Sequence, residues 1–301
     1  MSSPAMTRDA TRPFKLLKYS AWDWVPIGLG LLHFAYLVGI FVAFSYMLWP
    51  LRIAAGLLYA IGISWSINSV SHNFIHNPFF VSKTLNTLFS YLLSVTIGFS
   101  QAMYNFIHMR HHSGNMDRPD SSGNVIDYIS IYKYGHDGKP ENIWKYTFLS
   151  FFRTDPNEIL AEMSKKRKDE AALARRELVA FTAFFVLLGF LNWRFIVFLL
   201  PFWYFGHSLS SLNGYYEHFG GNPDKPIAWG VSTYDRLYNW TWLNNGYHAE
   251  HHYRPKHHWT KMPELHRQIR GQQEQEGVRV IRPPHALGFL DPSLPHKDSR
   301  G

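Results

Sequence analysis

Twenty-six consecutive residues, Trp24–Trp49, contain no Asp, Glu, Lys or Arg, and a second run, Leu51–Val70, is charged only at Arg52. A helix needs about 20 apolar residues to cross an ~30 Å hydrocarbon layer. In lipid, only helices and closed barrels satisfy their own backbone. Both runs therefore read as membrane-spanning helices joined by a tight turn at Pro50, with Trp and Tyr near their ends suited to the interface. Leu178–Leu191 and Phe195–Leu212 form a second apolar pair about the turn Asn192-Trp193-Arg194. The first of these is short for a span and is expected to begin within the preceding helix. The expected fold is all-α: a polytopic membrane protein with about four transmembrane helices.

Charge sets the expected orientation. The basic parts are the N-terminal segment, with Arg8, Arg12, Lys15 and Lys18, and the cluster between Lys165 and Arg176. Positive residues favour the cytoplasmic side, so both termini are expected there. No short apolar core with a cleavage site follows the N-terminal segment, so a removed signal peptide is not expected. The chain has no cysteine, which excludes disulfides, thiolate metal sites, iron–sulfur clusters and cysteine nucleophiles.

Histidine is 17 of the 301 residues, and its placement is not random. His248, His251 and His252 stand at i, i+3 and i+4, as do His108, His111 and His112. His72 and His76 stand at i and i+4. Residues three and four apart share a helix face, so each cluster aims its imidazoles at one volume. An HxxHH spacing arises by chance at about 0.05 per chain at this histidine content; two copies are not chance. Neutral imidazole is the commonest protein ligand for a transition metal. A ninth histidine, His218, follows the last apolar run. Nine donors exceed the four of one tetrahedral zinc and suit two metals, held in a cytoplasmic helical cap. Imidazole serves Fe, Zn, Cu and Ni alike.

The second span runs directly into His72 and His76. The charge-free stretch Leu85–Ile107 ends at the second cluster, so a single crossing would separate the two; a dipping or interfacial helix is expected instead. Asp117–Pro156 reads as loop and Asn157–Glu177 as a basic surface helix, while Met262–Gly301 reads as a tail or extended wrap. The expected divisions are a cytoplasmic segment 1–23, a membrane domain with the histidine clusters 24–265, and a C-terminal tail 266–301.

The pattern HxxxH, HxxHH, HxxHH on a four-span framework resembles the membrane fatty acid desaturase superfamily, over roughly Trp24 to Pro255. The resemblance implies a non-haem di-iron centre, O2 as co-substrate, and electrons from a separate ferredoxin, rubredoxin or cytochrome b5 with its reductase. By matching position it implies His72, His76, His108, His111, His112, His248, His251 and His252 as iron ligands. Tyr216-Glu217-His218-Phe219-Gly220 is similar to the Glu-His-Tyr-Gly element of membrane alkane hydroxylases, which implies His218 as a further ligand. The second cluster has desaturase spacing, whereas the Glu-His-Phe-Gly element leans toward hydroxylases. The expected activity is oxidation of an aliphatic C–H bond in a lipid or hydrocarbon, foremost fatty acyl desaturation. The alternatives are hydroxylation or ketolation of an alkane, acyl or terpenoid chain, and, in a different class, a histidine-rich metal transporter or sensor. Expected partners are substrate, electron donor and membrane lipids, not nucleic acid. The expected location is the membrane, the cytoplasmic membrane in a bacterium, with the site on its cytoplasmic face.

Ligating histidines donate their other N–H to an acceptor; the candidates are Asp117, Asp120, Glu217, Asn244, Asn245 and Glu250. His207 and His33 read as packing histidines and His257 and His258 as surface residues. His136, His266, His285 and His296 are assigned to loops or the tail.

Overall fold

The computed structural model describes residues 15–113 and 125–294. No β-strand forms among them; two isolated bridges pair Leu17 with Phe80 and Ser232 with Val280. Helix α1 (Trp24–Ala43) and helix α2 (Trp49–Trp65) form the first hairpin. Pro50 lies in the first turn of α2, where a missing N–H breaks no intrahelical bond. A π-helical stretch, Ser66–Ser71, carries α2 into α3 (His72–His76). Counting these extensions, Ala21–Tyr46 and Trp49–His76 are long and apolar enough to cross a membrane.

The stretch expected as one dipping helix is two: α4 (Lys83–Ile97) and α5 (Gln101–Ser113). Gly98 breaks them, with φ of 66°, and a Cβ there would collide with the Trp203 indole. Trp203 Nε1 and His207 Nε2 each lie 2.9 Å from the Ile97 carbonyl, and Tyr59 donates to Thr96 at 2.8 Å. Tyr59 precedes His72 by 13 residues, roughly 20 Å of helix. The hairpin therefore enters the bundle from the histidine end and returns to it. Buried Glu177 fixes this turn, accepting from Ser90 Oγ, Ser100 Oγ and the Ala102 amide at 2.5, 2.6 and 2.9 Å.

The region 117–156, expected as loop, contains α6 (Ile143–Arg153). The basic segment 157–177 is not one surface helix either. It comprises α7 (Pro156–Lys166) and the start of α8 (Lys168–Leu191), which runs on into the apolar stretch. Helix α9 (Trp193–His218) is the third helix apolar enough to span. Among the described residues α8 does not reach that criterion, because its first ten positions carry Lys168, Asp169, Glu170, Arg175, Arg176 and Glu177. Its apolar end packs Leu188 with Phe195 and Leu199 of α9 and Leu37 of α1. Gly206 lets α9 approach α2 closely: a Cβ there would lie 2.8 Å from the Ala60 carbonyl oxygen.

Short α10 (Arg236–Thr241) and α11 (His248–Tyr253) follow, then α12 (Met262–Gln275). The C-terminal stretch is part helix and part wrap. Beyond α12 the chain folds back on α9, burying Ile281 and His285, with Gly288 against the Tyr216 ring.

Candidate metal centre

Four elements bring nine imidazoles to one end of the bundle: α3, α5, the last residue of α9, and α11, with the π-helical stretch leading into α3. They sort into two groups in which one ligand atom per residue lies within 4.8 Å of the others. The first holds His72, His76, His108, His112 and His251; the second holds His111, His218, His248 and His252. The groups are adjacent, the His112 and His252 rings stacking at 4.3 Å.

Helix geometry explains the partition. With roughly 100° per residue, i and i+4 differ by about 40°, whereas i+3 lies about 60° to the other side. Thus α5 sends His108 and His112 to the first group and His111 to the second. Helix α11 does the reverse, sending His248 and His252 to the second and His251 to the first. An HxxHH helix lying between two centres serves both.

The nitrogens are spaced as ligands are. In the first group Nε2 of His251 is 3.0 Å from Nε2 of His72 and of His112, and His112 is 3.0 Å from His108. In the second, His111, His218, His248 and His252 close a ring with edges of 3.0, 3.1, 3.0 and 3.3 Å. Nitrogens about 2.1 Å from one metal and at right angles to each other lie about 3.0 Å apart. His111 Nδ1 is 2.5 Å from Asp127 Oδ2. A carboxylate only accepts, so that nitrogen carries the proton and His111 Nε2 presents a bare lone pair to its neighbours. His76 Nε2 is buried with no hydrogen-bond partner and belongs to the first group. Burial, and then the neighbouring imidazoles, hold His108, His112, His248, His251 and His252 well below the ordinary imidazole range. They are neutral at pH 7, the form that binds metal. The donor set fits metal ions.

Around the groups the acceptors divide. Glu217 Oε1 takes hydrogen bonds from Asn213 at 2.8 Å and Asn245 at 2.7 Å, and lies 3.8 Å from His248 Nδ1. Asn245 also stands near His72, so one amide lies between a histidine of the first group and the carboxylate beside the second. Tyr238 joins Asn213 and Asn245, and buried His285 stands behind it, its Nε2 2.9 Å from the Val231 carbonyl. Trp229 covers the second group, 4.3 Å from the His252 ring.

Of the expected acceptors, Glu217 and Asn245 stand at the site. Asn244 instead donates to the Trp259 carbonyl, and Glu250 faces away from the histidine groups. Asp117, Asp120 and His296 lie outside the described residues. Asp127 carries no signal in the sequence, because it sits 16 residues beyond His111 in a segment with no periodicity. His285 is no tail residue, and His258 is no free surface residue, its Nε2 lying 2.9 Å from buried Asp23. His207 bonds Ile97, and His33 lies 2.7 Å from Ser66 Oγ, packing roles as expected.

An apolar hollow of about 620 Å³ runs between α8 and α9 from Gly98 to Trp193. It lies at the depth of the hairpin tip, not at the histidines, so it is not the reaction chamber.

A family model described as fatty acid desaturase matches residues 47–284, spanning every histidine of both groups. A search of individually curated proteins finds no match.

Proposed function

We propose that this chain, which belongs to the fatty acid desaturase family, is a membrane oxidoreductase that uses O2 and external electrons to oxidise an aliphatic C–H bond, with fatty acyl desaturation as its reaction. The observation that carries this reading is the convergence of nine imidazoles into adjacent groups of five and four. Two iron ions, one per group, are the proposed cofactor. Bound there, they supply the oxidising power that removes hydrogen from an unactivated carbon.

The chain's own residues do the rest. The imidazoles stay neutral in a buried pocket and offer Nε2 lone pairs. Asp127 fixes the tautomer and ring orientation of His111. Asn245 holds the Glu217 carboxylate beside the second group. The helices ending at His76 and His218 place the groups at the end of the spans, where an acyl chain extends from the apolar layer and a polar headgroup stays in water. That placement speaks against a transporter, whose ligands gather near the bilayer midplane. We place the site on the cytoplasmic face on the basis of the positive charge of the adjoining segments.

Hydroxylation is the second reading, favoured by the Glu217-His218-Phe219-Gly220 element. Both begin with the same hydrogen abstraction; loss of a second hydrogen gives the alkene, and oxygen transfer gives the alcohol. Lipid and hydrocarbon profiles of cells expressing the chain or its His252→Ala variant test the proposal. New double bonds that require His252 support desaturation, new alcohols support hydroxylation, and unchanged profiles with a metal-loaded protein contradict both.

A further inference from the structure

Oxidation of this kind draws two electrons from outside: one dioxygen, two protons and two electrons turn a CH2–CH2 pair into CH=CH and two waters. The chain has no cysteine to hold an iron–sulfur or rubredoxin centre of its own. Resting on the function proposed above, we propose that the face formed by α12 and the C-terminal end of α11 docks an acidic one-electron carrier protein, and that His266, Tyr234 and Glu250 form its bonded route to the histidine groups.

Glu250 lies inside the third histidine cluster yet bonds outward. Its carboxylate, fully buried, accepts from Ser232 Oγ at 2.7 Å and Tyr234 OH at 2.8 Å, and lies 2.7 Å from His266 Nδ1. The His266 and Tyr234 rings lie 4.2 Å apart at a tilt of 41°, and the His266 side chain is 19 % exposed. Both rings line an open hollow of about 350 Å³ at the surface of α12. A surface imidazole is thus joined, through one carboxylate side chain, to the residue that precedes His251. Among the described residues the Glu250 side chain bonds none of the nine histidines, while Ser232 Oγ, which it accepts from, also takes the Ala249 amide and anchors α11.

Charge says what docks there. From Arg254 to Arg282 there are seven Lys or Arg and three Glu. Each Glu is already paired: Glu264 with Lys261, Glu274 with Arg270 and Glu276 with Lys225, at 3.3, 2.7 and 2.6 Å. Arg254, Lys256 and Arg267 are exposed, and none has a carboxylate partner among the described residues. Uncompensated cations of this kind steer an anionic partner. A membrane surface is the weaker match, because helices adsorbed on lipid sink an apolar face. Of the large apolar residues from Arg254 to Arg282, Val280 alone is exposed.

The test uses the full-length, iron-loaded protein in nanodiscs of neutral lipid, reduced either by an acidic plant-type [2Fe–2S] ferredoxin or by dithionite. The Lys256→Glu/Arg267→Glu double variant should lower the second-order rate of ferredoxin oxidation by about tenfold or more at low salt. It should also flatten the salt dependence while leaving iron content and the dithionite rate unchanged. His266→Phe should slow electron transfer at saturating ferredoxin without changing the salt dependence of binding. Unchanged ferredoxin rates in both variants would overturn the proposal, as would equal losses with dithionite. Retained ferredoxin rates with lost binding to phosphatidylglycerol vesicles would reassign the face to lipid headgroups. If dithionite reduces nothing in the wild-type protein, the oxidase function itself fails, an outcome distinct from any of these.

Discussion

The five-histidine and four-histidine groups draw on the same two helices, α5 and α11, but sit in different surroundings. Behind the four-histidine group stand two carboxylates, Asp127 on His111 and Glu217 near His248. Near the five-histidine group stands an amide, Asn245, beside His72. A carboxylate makes the imidazole it orients a stronger donor. The group with fewer ligands thus has in His111 one strengthened donor, and the two sites can hold like metals with unlike donor sets.

The largest expected effect follows from donor count. His252→Ala leaves three imidazoles in its group and should abolish activity and cost one metal of two. His76→Ala leaves four and should keep most of its metal with reduced activity; metal analysis of both purified variants checks this. If both lose the same amount, the asymmetry is wrong. Next comes the outer shell: Asp127→Asn should weaken metal binding at the four-histidine group by about 10–100-fold, measured by chelator competition. Asn245→Ala should cost less, since His72 has four companions.

Acid should affect both groups alike. The five imidazoles named above titrate, when folded, below the unfolded value of about 6.5, and burial holds His285 at about 4. Between those values the unfolded chain binds protons that the folded chain refuses. Their contribution to metal-free stability is therefore full above about pH 7 and is lost as pH falls below about 6.5. The thermal midpoint of the metal-free protein at pH 7.5 and 5.5 tests this; a rise on acidification would contradict it. The smallest effect expected is at Gly98, where Ala meets both a positive φ and the Trp203 ring. A loss of about 1–3 kcal/mol, read from denaturant unfolding, should reach both groups through α5.

The histidine clusters were legible because i, i+3, i+4 spacing is a property of the sequence. Three spans were legible because a water-soluble helix seldom runs twenty residues without a charge. What was hidden is long-range. No spacing rule shows that Asp127 returns to His111 or that His285 packs behind Tyr238. Gly98 is the one glycine in the charge-free run Leu85–Ile107, but a lone glycine does not show that the chain reverses there. The split of each HxxHH helix between two groups is implicit in the helix angle, but it becomes visible only once two helices face each other.

Anomalous scattering at the iron edge from crystals of the full chain tests the central claim most directly. Two iron peaks are predicted, one ringed by Nε2 of His72, His76, His108, His112 and His251, the other by Nε2 of His111, His218, His248 and His252. A single peak, or a zinc edge in place of iron, would contradict it.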